Sequence, residues 1–435
     1  MKRGMFNHRK AVLRSTAAAA VLSAAAAFSP ALADDAAPAA DPSAVKFSGL
    51  IDTGLYGNDT GSNVNAGQLF TDKHDQWVLN QLMLTAEKDL DPKATGYDWG
   101  FKLQGLYGTD ARYTHFIGMF DHNTSEREQF DITEANLVGH APVLTQGGID
   151  VKVGGYSTPI GYEVIQANLN PLYSHSYIFN YADPLKEAGV ITTTHVNDTV
   201  DLWLVTDSGL QTTYGQRGNP DGGMSGIAGV GLNNLLGGKL TILALSHFGP
   251  TDAELRSDQP AGITGASHKG RYLNDVVATY KPDDLWTWVT EANYTQDDAL
   301  EAHAWGIAQY GIYALSKTVS LVGRAEVFDD AEGQFVSSYQ GNRDPVNAER
   351  GMTTDYPVYN RAAPRTGVTY GALTLGANIK VAEAPTMLDG TMVRPEVRYD
   401  HTLNGADGFN YNSQGIAHNQ GEFSAGIDLV IPVAF

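Results

Sequence analysis

The chain has 435 residues, no Cys, and 29 Lys plus Arg against 49 Asp plus Glu, a formal charge of −20. Without Cys there is neither a disulfide framework nor a thiolate zinc site, and an acidic balance argues against a general nucleic-acid partner, whose phosphates need a basic footprint. Forty-seven Gly, 10% aromatics and only 18% charged residues, against about 25% in an ordinary globular chain, describe a turn-rich β protein.

The N-terminus opens on Lys2, Arg3, Arg9, Lys10 and Arg14, followed by an Ala-rich apolar run over 15–28 that is too short to span a bilayer. Ala31-Leu32-Ala33 completes a secretory signal peptide over 1–33 with cleavage after Ala33; an uncleaved signal anchor is the alternative. Removing those five basic residues leaves 24 basic and 49 acidic residues, a net −25. Residues 34–43 read as a Pro/Ala linker, and 44–435 as one folded unit.

From there the hydrophobic period is two. Sixteen alternating segments are expected at about 44–56, 76–88, 97–108, 130–141, 147–156, 186–196, 199–207, 225–234, 238–248, 269–281, 284–295, 302–316, 318–329, 366–382, 391–401 and 421–435. In the last, Phe423, Ala425, Ile427, Leu429, Ile431, Val433 and Phe435 share one face against Ser424, Gly426 and Asp428. Segment 391–401 sets Val393, Pro395, Val397 and Tyr399 against Arg394, Glu396, Arg398 and Asp400.

A soluble sandwich also alternates, so the connections must arbitrate. Long ones (57–75, 109–129, 157–185, 208–224, 249–268, 330–365, 402–420) alternate with short ones (89–96, 142–146, 197–198, 235–237, 282–283, 317), as in an outer-membrane barrel with long outer loops and tight periplasmic turns. Trp77, Trp99, Trp203, Trp286, Trp288, Tyr56, Tyr107, Tyr280, Tyr294, Tyr399 and Phe435 fall near strand ends, where interfacial girdles sit. The expected fold is an all-β transmembrane antiparallel barrel of about 16 strands, or 18 if 330–382 holds another hairpin.

The segment GYSTPIGYEVIQANLNPLYSHSYIFNYADPLKEAGV (155–190) resembles the Gly-Tyr-Glu, Asn and Ser-x-Ser pattern of the β-barrel porin type 2 family. MVRPEVRYDHT (392–402) resembles that family's penultimate strand. The resemblance spans roughly 45–435 and implies a passive pore in a Gram-negative outer membrane, without naming a solute. A terminal strand ending in Phe435 also resembles the assembly signal read by the barrel-insertion machinery.

Catalytic motifs are weak. There is no G-x-S-x-G elbow, 235–240 fails as a phosphate loop, and no H-E-x-x-H occurs among twelve His. His175 between Ser174 and Ser176 keeps an outer-membrane lipase as an enzyme alternative. No catalysis, cofactor or metal is expected.

Transport residues are more informative. The Tyr-rich connection 157–185 follows the fifth segment, and by resemblance to general porins it folds inward as a constriction carrying Tyr162, Glu163, Tyr173 and Asp183. Arg324, Lys380, Arg394 and Arg398, with Glu326, Glu396, Asp400 and Asp428, lie on polar faces and would line the pore. Opposed to the loop acids, such a basic arc would set up a transverse field. The alternative is local pairing of Arg324 with Glu326 and of Glu396 with Arg394 and Arg398.

The expected function is passive diffusion of small hydrophilic solutes and ions. Outer-membrane lipid and the insertion machinery are the expected partners, together with a possible homotrimer. A substrate-specific channel and a closed structural or adhesive barrel are the alternatives.

Overall fold

A computed structural model describes residues 44–91, 95–116, 119, 127–209, 223–250, 270–298, 301–336, 366–410 and 416–435. The strands are β1 (Lys46–Asn58), β2 (Gln76–Lys88), β3 (Asp98–Gly108), β4 (Gln129–Ala141), β5 (Ile149–Ser157), β6 (Lys186–His195), β7 (Val200–Asp207) and β8 (Ser225–Asn234). They continue with β9 (Leu240–Pro250), β10 (Gly270–Tyr280), β11 (Trp286–Asp297), β12 (Ala302–Ala314), β13 (Val319–Asp330), β14 (Val368–Lys380), β15 (Met392–Thr402) and β16 (Gly421–Ala434). The boundaries follow the alternating segments to within a few residues.

Each strand pairs antiparallel with its sequence neighbours, and β1 pairs with β16, so the sheet closes on itself. Closure matters because lipid offers no hydrogen bond to a free strand edge. β13 pairs directly with β14, so 330–382 adds no further barrel strand; residues 337–365 lie outside the described residues, as do the signal and linker segments 1–43.

The alternation turns apolar side chains outward. Leu84, Leu137, Leu204, Leu373, Leu375, Val397 and Phe423 are exposed on the wall, while their strand neighbours Thr85, Asn136, Thr374, Arg398 and Ser424 are buried inside. At the tight β10–β11 turn, Trp286 and Trp288 stack at 5.0 Å, and Trp288 and Tyr280 are exposed as interfacial rings should be. Tyr56 and Trp203 depart from the expected girdle. Strand parity turns both inward, to 1% and 6% exposure.

The long connections share one rim and the tight turns the other. A protease site inserted at exposed Gly405, between β15 and β16, should therefore be cut on intact cells, whereas one at Asp283 should resist until the outer membrane is opened. Cleavage only at Asp283, read by immunoblot, would invert this orientation.

Candidate functional site

The segment joining β5 to β6 crosses the barrel interior. It leaves β5 at Ser157, passes Gly161 and Tyr162 against β11, and runs along β13, β15 and β2 before returning to Lys186. Two short elements stiffen it: a 3-10 turn at Ala167–Leu169 and a helical turn at Tyr177–Tyr181. Ser176 caps the latter by accepting from the Phe179 N–H at 3.1 Å.

A loop inside a barrel must satisfy its backbone groups without a strand partner. The wall supplies donors and acceptors in a charged ladder. Arg324 on β13, Thr374 on β14 and Arg398 on β15 sit opposite one another in register. Arg324 donates to the Ser174 carbonyl at 2.7 Å and the His175 carbonyl at 3.1 Å, and Arg398 reaches the same His175 carbonyl at 2.9 Å. Arg394 donates to the carbonyls of Ala167 and Asn170 at 2.9 and 2.8 Å.

Carboxylates take the loop N–H groups. Glu396 accepts from Tyr173 and Ser174 at 2.8 and 3.1 Å, and Glu326 from Tyr177 at 2.8 Å. Asp400 accepts from the Tyr177 hydroxyl at 2.9 Å. Glu163 binds Arg324 at 2.8 Å, the His175 ring at 2.8 Å and the Tyr310 hydroxyl at 3.0 Å. Burial alone would raise the Glu163 carboxyl, but Arg324 and the His175 hydrogen bond outweigh it and hold it at about 2.

Apolar packing completes the seat. Tyr177 stacks on Tyr370 at 5.0 Å and on Phe328 at 5.9 Å, and Tyr162 meets Tyr310 edge-on at 4.7 Å. Gly54 and Gly376 are required by close approach: a Cβ would come within 2.7 Å of the Tyr173 ring at the first and 2.6 Å of Leu172 at the second. Among the described residues, the larger buried apolar cluster therefore lies within the lumen, between loop and wall.

The ladder alters the expected basic arc. Arg324, Arg394 and Arg398 do face inward, but they are 0–2% exposed and lie beneath the loop. Arg324 pairs with Glu163 and Glu326, Arg398 with Glu326 at 3.3 Å and Asp400 at 2.8 Å, and Arg394 with Asp428. Glu396 lies between two Arg in sequence, yet it hydrogen-bonds to the loop and to the Tyr56 hydroxyl instead. Arg324 and Glu163 thus form a contact pair, with no open water between them to carry a transverse field.

Two expected members stand apart. Lys380 ends β14 opposite Met392, six residues from Thr374 and so about 20 Å along the strand at ~3.4 Å per residue. Among the described residues Asp183 pairs with no Arg; it gathers with Asp275 and Glu291 on the β10–β11 wall. Phe435 is 75% exposed at the tight-turn rim, its N–H donating to the Phe47 carbonyl at 3.3 Å. Sequence reasoning missed Gln81, which clips the loop at Ile165 and Ala167 by bonds of 2.6 and 3.0 Å. Its one signal was a polar residue facing inward on β2.

A closed sixteen-strand barrel crossed by its fifth connection narrows the comparison to porin-like channels. The family model described as "Putative beta-barrel porin-2, OmpL-like" matches residues 44–432. The chain belongs to this family. It is a porin of the outer membrane, as its resembling segments implied.

Solved structures share the fold at low identity. The outer membrane channel DcaP of Acinetobacter baumannii superposes with a TM-score of 0.50 at 11% identity, over 90% of this chain and 97% of that one. OprB of Pseudomonas putida gives 0.51 at 13%, over 89% and 94%. An anion-selective porin from Comamonas acidovorans gives 0.53 at 12%, over 90% and 99%. No curated protein matches the sequence.

Proposed function

We propose that this porin is a water-filled channel for passive diffusion of small hydrophilic solutes and ions, and that the loop over 158–185 sets its narrowest section. The observation that carries this reading is the ladder of Arg324, Arg394, Arg398, Glu326, Glu396 and Asp400, which hydrogen-bonds the loop across the lumen. An Arg on the lipid-facing wall would cost about 2–4 kcal/mol at the bilayer midplane and a carboxylate less, a cost that falls away inside. Here they fix a loop, and the loop sets the bore.

Reconstitution of the mature protein into planar bilayers tests the reading. Discrete ohmic steps are expected, with liposome swelling for small sugars and amino acids that declines with solute size. Silence in the bilayer, from protein shown to be folded by heat-modifiable gel mobility, would favour a closed barrel. The depth of burial around Arg324 and Arg398 supports that second reading. Swelling confined to one solute class would instead mark a substrate-specific channel.

Export and assembly belong to the same proposal. Protein recovered from outer membranes should begin at Asp34, as N-terminal sequencing would reveal; a retained Met1 would mark an anchor. Phe435 presents an exposed terminal ring suited to the insertion machinery. Deleting it should lower the yield of heat-modifiable barrel several-fold, and unchanged yield would make the terminal aromatic dispensable. A homotrimer is proposed as the assembled form, to be read by native mass spectrometry in detergent.

A further inference from the structure

Both ends of the lumen loop return to one place on the wall. Asp275 on β10 lies directly opposite Asn293 on β11, and Glu291 shares their inward face two residues away. The loop brings Asp183 to this pair from its far end and Gly161–Tyr162 from its near end. The Tyr162 N–H donates to Glu291 Oε1 at 2.9 Å. Gly161 stands at φ +88° and passes so close that a Cβ would lie 2.2 Å from Asp183 Oδ2.

Three carboxylates meet here without a cation. Asp275 and Glu291 are 3% and 1% exposed. Arg271, on the same strand as Asp275, pairs with Asp297 at 3.9 Å. Among the described residues, no Lys, Arg or His forms an ion pair with any of the three. The Asn293 amide reaches into the cluster, donating to Asp183 at 2.9 Å and Asp275 at 3.5 Å.

A separate observation points to a ligand. Asp183 Oδ2, Glu291 Oε2 and the Asn293 Oδ1 are buried oxygens that make no hydrogen bond. Asn293 is itself 5% exposed; its Nδ2 faces two of the acids, and a half-turn of the amide would bring the orphan Oδ1 to the same point in place of those two hydrogen bonds. Leaving buried acceptors and like charges uncompensated is costly.

Oxygen-only donors select a hard cation. One oxygen from each carboxylate lies within 4.8 Å of the other two. That spacing suits oxygens sharing one cation, and Mg²⁺ dehydrates reluctantly and is seldom held by protein oxygens alone, whereas Ca²⁺ accepts several carboxylate and amide oxygens in a flexible geometry. We propose that Asp183, Asp275 and Glu291, with the Asn293 amide turned to add its oxygen, form a Ca²⁺ site that ties the two ends of the lumen loop to the β10–β11 wall. The site depends on where the loop lies and not on whether the barrel conducts.

The test uses the mature chain refolded in detergent without lipopolysaccharide, whose own phosphates would bind the ion. After chelation and dialysis, Ca²⁺ is titrated by calorimetry and Tb³⁺ by luminescence, with Tyr162 as the near sensitiser. One saturable Ca²⁺ per folded chain is expected, Tb³⁺ emission should be displaced by Ca²⁺, and the temperature of heat modification should rise with Ca²⁺. E291Q and D275N should each weaken binding about tenfold or more and abolish the thermal shift. In chelator E291Q should be at least as heat-resistant as wild type, because it removes a like charge. The proposal is overturned if folded wild type shows no saturable binding up to about 1 mM Ca²⁺, or if both variants bind as it does.

Discussion

Replacing Arg324 by Ala should free the lumen loop and raise single-channel conductance. The guanidinium joins Glu163, Ser174 and His175 of the loop to Glu326 and Thr374 of the wall, and it is fully buried. Its removal leaves the buried Glu163 carboxylate without its Arg, while Glu326 keeps only Arg398. Breaking a buried ion pair from one side costs about 3–5 kcal/mol, more than a loop held largely by hydrogen bonds can absorb in place. The loop then loosens from the β13 wall, its fixed constriction is lost, and Glu163 hydrates.

Conductance should rise, current noise should grow, and the reversal potential under a salt gradient should move toward cations as Glu163 loses its Arg partner and one positive charge leaves the lumen. Arg324→Lys keeps the charge but not the planar fork, so an intermediate channel is expected. Val397→Ala, on the lipid face of β15, should leave all three readings alone. An Arg324→Ala channel with wild-type conductance and noise, from a folded barrel, would end the idea that this ladder holds the loop.

The barrel itself was legible because period two is a local property. Each strand carries its own sidedness, and in β15 the alternation of Val393, Val397 and Tyr399 with Arg394, Arg398 and Asp400 is enough to say which side is wet. Loop depth is not local. Arg324 and Glu163 are 161 positions apart, and nothing in either neighbourhood states that they touch. Both were readable as lumen residues, yet an open arc and a covered clamp share the same one-dimensional pattern. The glycines at 54 and 376 were the missed clue. A lumen-facing Gly in a strand lacks a side chain to pack, and here each leaves the space that Tyr173 or Leu172 fills. Tyr56 and Trp203 fail for a related reason: aromatic residues near strand ends mark interfaces only when their parity points outward.

Acid should undo what Arg324→Ala undoes, but only well below neutrality. Glu163 is held at about 2 inside the clamp and returns toward the ordinary carboxylate value of 4.5 once the loop lifts into water. Because the docked value is the lower one, Glu163 stabilises docking fully above about pH 4.5, and that contribution falls away as pH drops toward about 2. The difference is worth about 3 kcal/mol at ~1.4 kcal/mol per unit. Arg324, His175 and the Tyr310 hydroxyl are the groups that face it, and Arg324 stays charged throughout.

Wild-type conductance should therefore stay level from pH 7 to about 5 and rise only between about 4.5 and 2. Glu163→Gln should already be wide and noisy at pH 7 and should stay flat on acidification, since the titrating group is gone. Bilayer recordings across that range decide the matter. A wild-type step confined to pH 6–7, or a Glu163→Gln channel that still opens between 4.5 and 2, would place the acid-sensitive group somewhere other than Glu163.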